Sequence, residues 1–108
     1  MRKVTRDLLS QATTEKDVEN AYRAEIKSHI PSADVISPFH SDGYFEWKTV
    51  RMLLEAKYDE DLKNRVSVCG VLGQMLYYLK KFEKAGELLP NALFIGDKNE
   101  CLVLSTAS

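Results

Sequence analysis

The stretch TVRMLLEAKYD, residues 49–59, decides how this chain folds. It is an apolar run typical of a buried strand, and it carries two opposite charges, Glu55 and Lys57, near its end. Its β-branched and aliphatic residues predict a strand, and Tyr44–Trp47 predicts a second strand that pairs with it as an antiparallel hairpin. Successive side chains on a strand point to opposite faces, so Glu55 and Lys57 share one face. Such a pair is either a solvated ion pair or part of a reaction centre.

A helix is predicted on each side of this hairpin. A capping signature and apolar residues at helical spacing predict the first helix over Glu15–His29, and Pro31 ends it. The second helix is predicted over residues 65–86, and Gly86 stands where a helix stop is expected. Its apolar face is predicted to consist of Val68, Leu72, Met75, Leu76 and Leu79.

Two further apolar runs, residues 91–97 and 100–106, predict a second hairpin that turns at Gly96 and Asp97. The order of elements predicts an α/β fold, in which a small mixed sheet is flanked by helices as α-β-β-(β)-α-β-β, with the bracketed strand optional. A chain of 108 residues has room for one domain, residues 1–108. Its ending in LVLSTAS leaves open that it is the N-terminal fragment of a longer protein.

Composition is that of a globular domain, with 44% hydrophobic and 29% charged residues. The formal charge of -1 provides no overall attraction to nucleic acid or membrane, so polyanion binding must come from local clusters. Cys69 and Cys101 predict buried, reduced thiols, without the spacing of a zinc site. No run approaches the length of a membrane span, and we expect a cytoplasmic protein without membrane contact.

Three motifs follow the order seen in a known group of nucleases. Ser41-Asp42 precedes the hairpin, Glu55-Ala56-Lys57 ends its second strand, and Gln74 to Tyr78 lie in the second helix. Together they resemble the PD-(D/E)xK nuclease superfamily, and the Gln-x-x-x-Tyr element is similar to that of its RecB-like branch and of restriction-modification nuclease modules. The resemblance spans residues 15–106, and Ser41 replaces the proline of the motif.

The resemblance implies a Mg²⁺-dependent DNA endonuclease domain, the cleavage module of a restriction-modification enzyme, in which Mn²⁺ substitutes for Mg²⁺. Asp42, Glu55 and the backbone carbonyl of Ala56 would bind the metal, as hard oxygen ligands suit Mg²⁺. Glu15 looks like the acidic helix residue that many family members direct at the metal, and Glu19 is the next choice.

The implied catalytic set is completed by Lys57, Gln74 and Tyr78. Lys57 would stabilise charge that develops in the transition state, while Gln74 and Tyr78 would orient the lysine, the water or the DNA backbone. DNA is the implied partner, other domains or subunits would recognise the target, and cleavage of both strands would need two sites, as in a homodimer.

Other interpretations stand beside this one. Asp42 with Gly43 is also a common turn signal, and Gln74 with Tyr78 also suits a polar helix flank. The second hypothesis is therefore a catalytically inactive nuclease-like module that serves nucleic-acid binding or assembly, and the third is an unrelated α/β domain. DNA against RNA, and endonuclease against exonuclease, stay open.

Two features of the second helix are left unassigned by these motifs. Gly70 and Gly73 are costly inside a helix, which indicates close approach of the helix to the sheet or to a substrate backbone. The cluster Lys80, Lys81 and Lys84 suits the negative end of the helix dipole, and the same ammonium groups are able to contact phosphates.

Overall fold

A four-stranded mixed sheet with helices on both faces forms the protein, which a computed structural model describes over residues 1–106. The strands are β1 (Gly43–Trp47), β2 (Val50–Ala56), β3 (Ala92–Gly96) and β4 (Cys101–Ser105). The helices are α1 (Lys3–Gln11), α2 (Glu15–His29) and α3 (Arg65–Lys84), with a 3₁₀ turn at Pro38–His40. The predicted mixed α/β fold is confirmed. The predicted domain extends to residue 108, and its last two residues lie outside the described part.

The strands lie in the sheet in their sequence order, β1-β2-β3-β4. β1 pairs with β2 antiparallel, β2 pairs with β3 parallel through the crossover helix α3, and β3 pairs with β4 antiparallel. Gly43 pairs with Leu54, and Ala56 pairs with Gly96. The start of β1 and the carboxyl ends of β2 and β3 therefore meet at one edge, where parallel sheets commonly place their ligand sites.

Strand β2 is buried on both faces because helices cover both sides of the sheet, which explains its nearly continuous apolar sequence. Leu53 packs with Val71 and Met75 of α3, whereas Leu54 belongs to a cluster on the opposite face of the sheet. By the alternation of the strand, Glu55 shares the face of Leu53 and is directed toward α3.

The N-terminal helix α1 was not predicted, so the order of elements begins with two helices instead of one. Arg2 at its N-cap makes no side-chain cap, and the helix lacks the start signal that marks α2, where Thr14 accepts a hydrogen bond from Asp17 N. Tertiary contacts hold it instead: Thr5 donates to Glu25, and Leu9 packs in a cluster with residues of α2. The optional strand before α3 is not formed within residues 1–106.

Four of the five residues of the predicted apolar face of α3 lie in or pack against one core cluster: Met75, Val68, Leu72 and Leu79. Val71, Met75 and Phe82 are the buried residues of the helix, while Leu76 is 55% exposed, and the prediction that Leu76 lies in the core is wrong. Both cysteines are exposed, contrary to the predicted burial. Gly86 adopts a φ of 74° just after the helix, which confirms the predicted stop. None of the helices found in residues 1–106 has the length and apolar character needed to cross a membrane.

Gly96 has no room for a side chain. A Cβ added there would lie 2.4 Å from Cε2 of Tyr22, whereas one added at Gly73 would meet no other atom of residues 1–106 within 4 Å, the backbone of α3 aside. We expect Gly96→Ala to lower the free energy of unfolding by about 2 kcal/mol or more, and Gly73→Ala to raise it by up to about 1 kcal/mol. Urea denaturation measures both, and a Gly96→Ala protein as stable as the wild type would contradict this packing.

Candidate active site

Asp42 lies directly before β1, at the edge where β2 and β3 end. Its Oδ2 accepts a hydrogen bond of 2.7 Å from the backbone N–H of Ala56. The Asp42 side chain thus replaces a backbone carbonyl of β1 as the acceptor for this N–H of β2. Burial raises the pKa of Asp42; the Ala56 N–H opposes this rise, and the charge of Glu19 adds to it. Asp42 is thus fixed beside the last residues of β2.

Glu55 is the more strongly perturbed carboxyl group of this site. It is only 7% exposed, and its pKa is raised to about 7, first by burial and then by the charge of Asp42, against the opposing effect of Lys57. Its Oε2 is buried and has no hydrogen-bond partner among the described residues. A buried carboxylate oxygen without a partner is costly, so this site favours a proton or a cation.

Lys57 follows β2 and places its ammonium beside Glu55. Its Nζ lies 3.5 Å from Oε1 of Glu55 and donates a hydrogen bond of 2.5 Å to Oε1 of Gln74 on α3. Its backbone N–H is bound at 2.8 Å to the carbonyl of Gly96, which anchors the residue after the strand has ended. The predicted shared face of Glu55 and Lys57 is confirmed, and Gln74 contacts the lysine.

Tyr78 stands one helical turn beyond Gln74 on α3. Burial raises the pKa of its phenol, and the charges of Glu55 and Asp42 raise it further, which places the ring within electrostatic reach of both carboxylates. The structure therefore brings four residues of the predicted catalytic set to one edge, Asp42, Glu55, Lys57 and Gln74, and Tyr78 lies one turn from Gln74 on α3.

The two acidic candidates on α2 differ in their surroundings. Glu15, the predicted metal ligand, is exposed at the first helical residue and acts on Asp42 and Glu55 through its charge. Glu19, the second choice, is buried and forms ion pairs with Lys16 at 2.8 Å and with Arg23 at 3.6 Å. Glu19 has the larger effect on the pKa of Asp42.

Sequence reasoning missed Arg23, which ties α2 to the segment that carries Asp42. Its guanidinium donates to the backbone carbonyls of Asp42 at 2.9 Å and Val35 at 2.7 Å, and to Oγ of Ser37 at 3.1 Å. Its spacing of four from Glu19 was the one signal in the sequence, and it indicates a local pair rather than these distant contacts. Arg23 is a positioning residue for Asp42.

The donor atoms at this edge suit a hard divalent cation. Asp42 and Glu55 supply carboxylate oxygens, and Oε2 of Glu55 is buried without a partner in the described residues. The N–H and the carbonyl of one strand residue point to the same side of the strand, so the Ala56 carbonyl faces Asp42, as its N–H does. Within residues 1–106, no three or more His, Cys, Asp and Glu side chains are grouped so as to hold a metal ion. A cation here would retain several waters, as Mg²⁺ commonly does.

Comparisons with known proteins were made at three levels. The chain matches no family model, no curated protein and no solved structure. The fold and the site geometry above are therefore the basis for assigning a function.

Proposed function

We propose that this chain is a divalent-metal-dependent nuclease domain that hydrolyses phosphodiester bonds in DNA, with Mg²⁺ as its cofactor and Mn²⁺ as a substitute. The observation that carries the proposal is the buried Glu55, whose Oε2 has no partner in the described chain, beside Asp42 and 3.5 Å from the Lys57 ammonium. Two interacting carboxyl groups next to a fixed ammonium are the arrangement that metal-assisted phosphoryl chemistry needs.

Each residue has a role that follows from its contacts. Asp42, Glu55 and the Ala56 carbonyl would hold the cation, which supplies a polarised phosphate and an activated water. Lys57 stabilises the negative charge that grows on the phosphate in the transition state, and Gln74 holds its ammonium in place before substrate binds. Tyr78 would orient the water or the DNA backbone from the same side of α3 as Gln74. Glu15 contributes negative charge from the start of α2.

The position of the site and the net charge of the chain bear on how the domain finds its DNA target. The carboxylates lie at the edge of a small sheet, and the chain has a formal charge of -1. We infer that target recognition belongs to other domains or subunits, as in a restriction-modification enzyme, and that two copies act together where both strands are cut.

Incubation of the protein with supercoiled plasmid and with linear duplex tests this function. We expect nicking in Mg²⁺ or Mn²⁺ that a chelator abolishes, and loss of the supercoiled band before the linear duplex shortens if the enzyme cuts internally. Absence of cleavage under all metal conditions, together with absence of any metal-induced stabilisation, would contradict the proposal.

Arg23→Ala is expected to weaken the metal site without touching its ligands, because Asp42 loses the guanidinium that fixes its backbone carbonyl. The free energy of unfolding should fall by about 2 kcal/mol, and the rise in Tm caused by Mn²⁺ should shrink. Arg51→Ala is the matched control, since Arg51 Nε donates to the Leu89 carbonyl at 2.8 Å at the start of β2. It should lose stability and keep its Mn²⁺ response. Equal Mn²⁺ responses in the two variants would contradict a positioning role for Arg23.

A further inference from the structure

One face of α3 leads away from the proposed centre, and its residues are exposed except for Lys81, which is half-buried. Gly70, Gln74, Tyr77 and Lys81 follow one another at spacings of three or four, so they lie on one side of the helix over about 17 Å. Gly73 adjoins this line. We call these five residues the α3 track. Gln74 connects the track to the centre through its hydrogen bond with Lys57.

The glycines of the track are not explained by the fold. Each costs a helix about 1 kcal/mol relative to alanine, and both lie inside α3 rather than at a left-handed turn. A Cβ at Gly70 or Gly73 would meet no other atom within 4 Å in the part of the chain that is described, the helix backbone excepted. The predicted close approach to the sheet is therefore wrong, and the alternative, close approach of a substrate backbone, is the one that remains.

Tyr77 supplies an aromatic surface next to the site. Its ring is 57% exposed and is held edge-on by Tyr78, with centroids 5.5 Å apart at 75°. The ammonium of Lys81 lies 5.1 Å from the ring centroid. An exposed ring beside an ammonium group matches how proteins hold single strands, in which bases stack on aromatic side chains while cations meet phosphates.

Charge differs between α3 and the loop that leads into it. Helix α3 carries four basic residues and one acidic residue: Arg65, Lys80, Lys81, Lys84 and Glu83. By contrast, the loop that leads into α3 and the β3–β4 turn line a surface depression of about 450 Å³ with mostly acidic residues: Asp59, Glu60, Asp61, Lys63, Asn99 and Glu100. A phosphate backbone is attracted along α3 and repelled from that depression, so a bound strand has one favoured direction of exit.

We propose that the α3 track binds a single-stranded stretch of DNA that leads to the phosphate at the Asp42–Glu55–Lys57 centre, with one unpaired base stacked on Tyr77. This inference rests on the proposed nuclease function and names its substrate class. A base within a duplex is already stacked on both sides and cannot reach Tyr77 without being flipped out. The centre and track provide only two amines within residues 1–106, Lys57 and Lys81, so phosphate contacts are few and base stacking is expected to supply most of the affinity.

Fluorescence anisotropy with labelled DNA tests the track. Measured in the Glu55→Gln background, which leaves the DNA uncut, a short oligothymidylate is expected to bind more tightly than a hairpin duplex of the same length. Tyr77→Ala should weaken oligothymidylate binding by about tenfold, the loss of one stacked base, and Tyr77→Phe should retain it. Gly73→Ala should also weaken binding, although it stabilises the fold, because its methyl group occupies the open backbone.

Trp47→Ala is the matched control for the aromatic ring. Trp47 is 39% exposed and has the ammonium of Lys48 4.4 Å from its ring centroid, and it lies at the opposite end of β1 from Asp42. Its loss should leave binding unchanged. Tighter binding of duplex than of single strand, or a Tyr77→Ala affinity equal to that of Trp47→Ala, would overturn the proposed track. Neither result would alter metal-dependent cleavage or the Mn²⁺ melting shift, whose loss would overturn the nuclease itself.

Discussion

Glu55→Gln and Lys57→Ala are each expected to lower the rate of plasmid nicking by about a thousandfold or more. Glu55→Gln removes a charged ligand whose second oxygen has no partner in the described residues, and Lys57→Ala removes the ammonium 3.5 Å from it. The rate of loss of supercoiled plasmid in Mg²⁺ measures the effect, and circular dichroism establishes that each variant remains folded.

Matched substitutions at the opposite end of β1 separate the site from surface charge in general. Glu46→Gln and Lys48→Ala remove the same charges from exposed positions, and we expect both proteins to nick plasmid at the wild-type rate. A folded Glu55→Gln or Lys57→Ala protein that nicks as fast as these controls would show that the catalytic centre lies elsewhere.

Stability should fall as the pH rises from about 4.5 to about 7, because Glu55 titrates in this window. The ordinary pKa of a glutamate is 4.5, and that of Glu55 in the folded protein is about 7, so the folded state holds its proton where the unfolded state has lost it. The free energy of unfolding is therefore highest below pH 4.5 and is lower by on the order of 3 kcal/mol above pH 7. Asp42, whose pKa is also raised, adds a loss of the same sign.

Urea denaturation of wild type and Glu55→Gln between pH 5 and pH 8 measures this effect. The variant has no proton to lose at this position, so its free energy of unfolding should change less with pH and exceed that of the wild type at pH 8. Glu25 does not contribute to this pH dependence, because its pKa is lowered to about 2 and the stability that it provides is lost only at more acidic pH. A wild-type protein that gains stability from pH 5 to pH 8 would contradict the assigned environment of Glu55.

The free-energy cost of ionising the buried Glu55 is also the reason why a cation would bind there. A divalent ion supplies the positive charge that the buried carboxylate lacks, and it competes with the proton for the same oxygen atoms. Metal binding should therefore strengthen as the pH rises through 7, in the range where the metal-free protein is least favoured. The stability that the site costs without metal is returned when the ion binds.

The sequence allowed the central hairpin and the shared face of Glu55 and Lys57 to be predicted because local rules govern them. Alternation along β2 placed Glu55 and Lys57 on one face, and their contact confirms it. The short connections, two residues in β1–β2 and four in β3–β4, indicated hairpins. The cap at Thr14 marked the start of α2. Each of these signals acts over a few residues, which is the range that a single sequence reveals.

The errors arose where tertiary contacts decide the outcome. α1 lacks a side-chain cap and is held by Glu25 of α2, and Arg23 acts through carbonyls 12 and 19 residues away. Leu76 was misplaced because the apolar residues of α3 extend around more of the helix than the sheet covers, which leaves Leu76 in solvent. Gly70 and Gly73 were recognised as unusual, but only the structure showed that no neighbouring element among residues 1–106 explains them.

The Tm of wild type and of Glu55→Gln, measured at pH 8 with and without Mn²⁺, tests the central claim most directly, because it needs neither substrate nor partner. A ligand that binds only the folded state adds about 2.7 kcal/mol at a hundred times its Kd, which corresponds to a rise in Tm of several degrees. We predict such a rise in the wild type and its absence in Glu55→Gln. An equal Mn²⁺ response in the two proteins, or none in the wild type, would contradict a metal centre at Asp42 and Glu55.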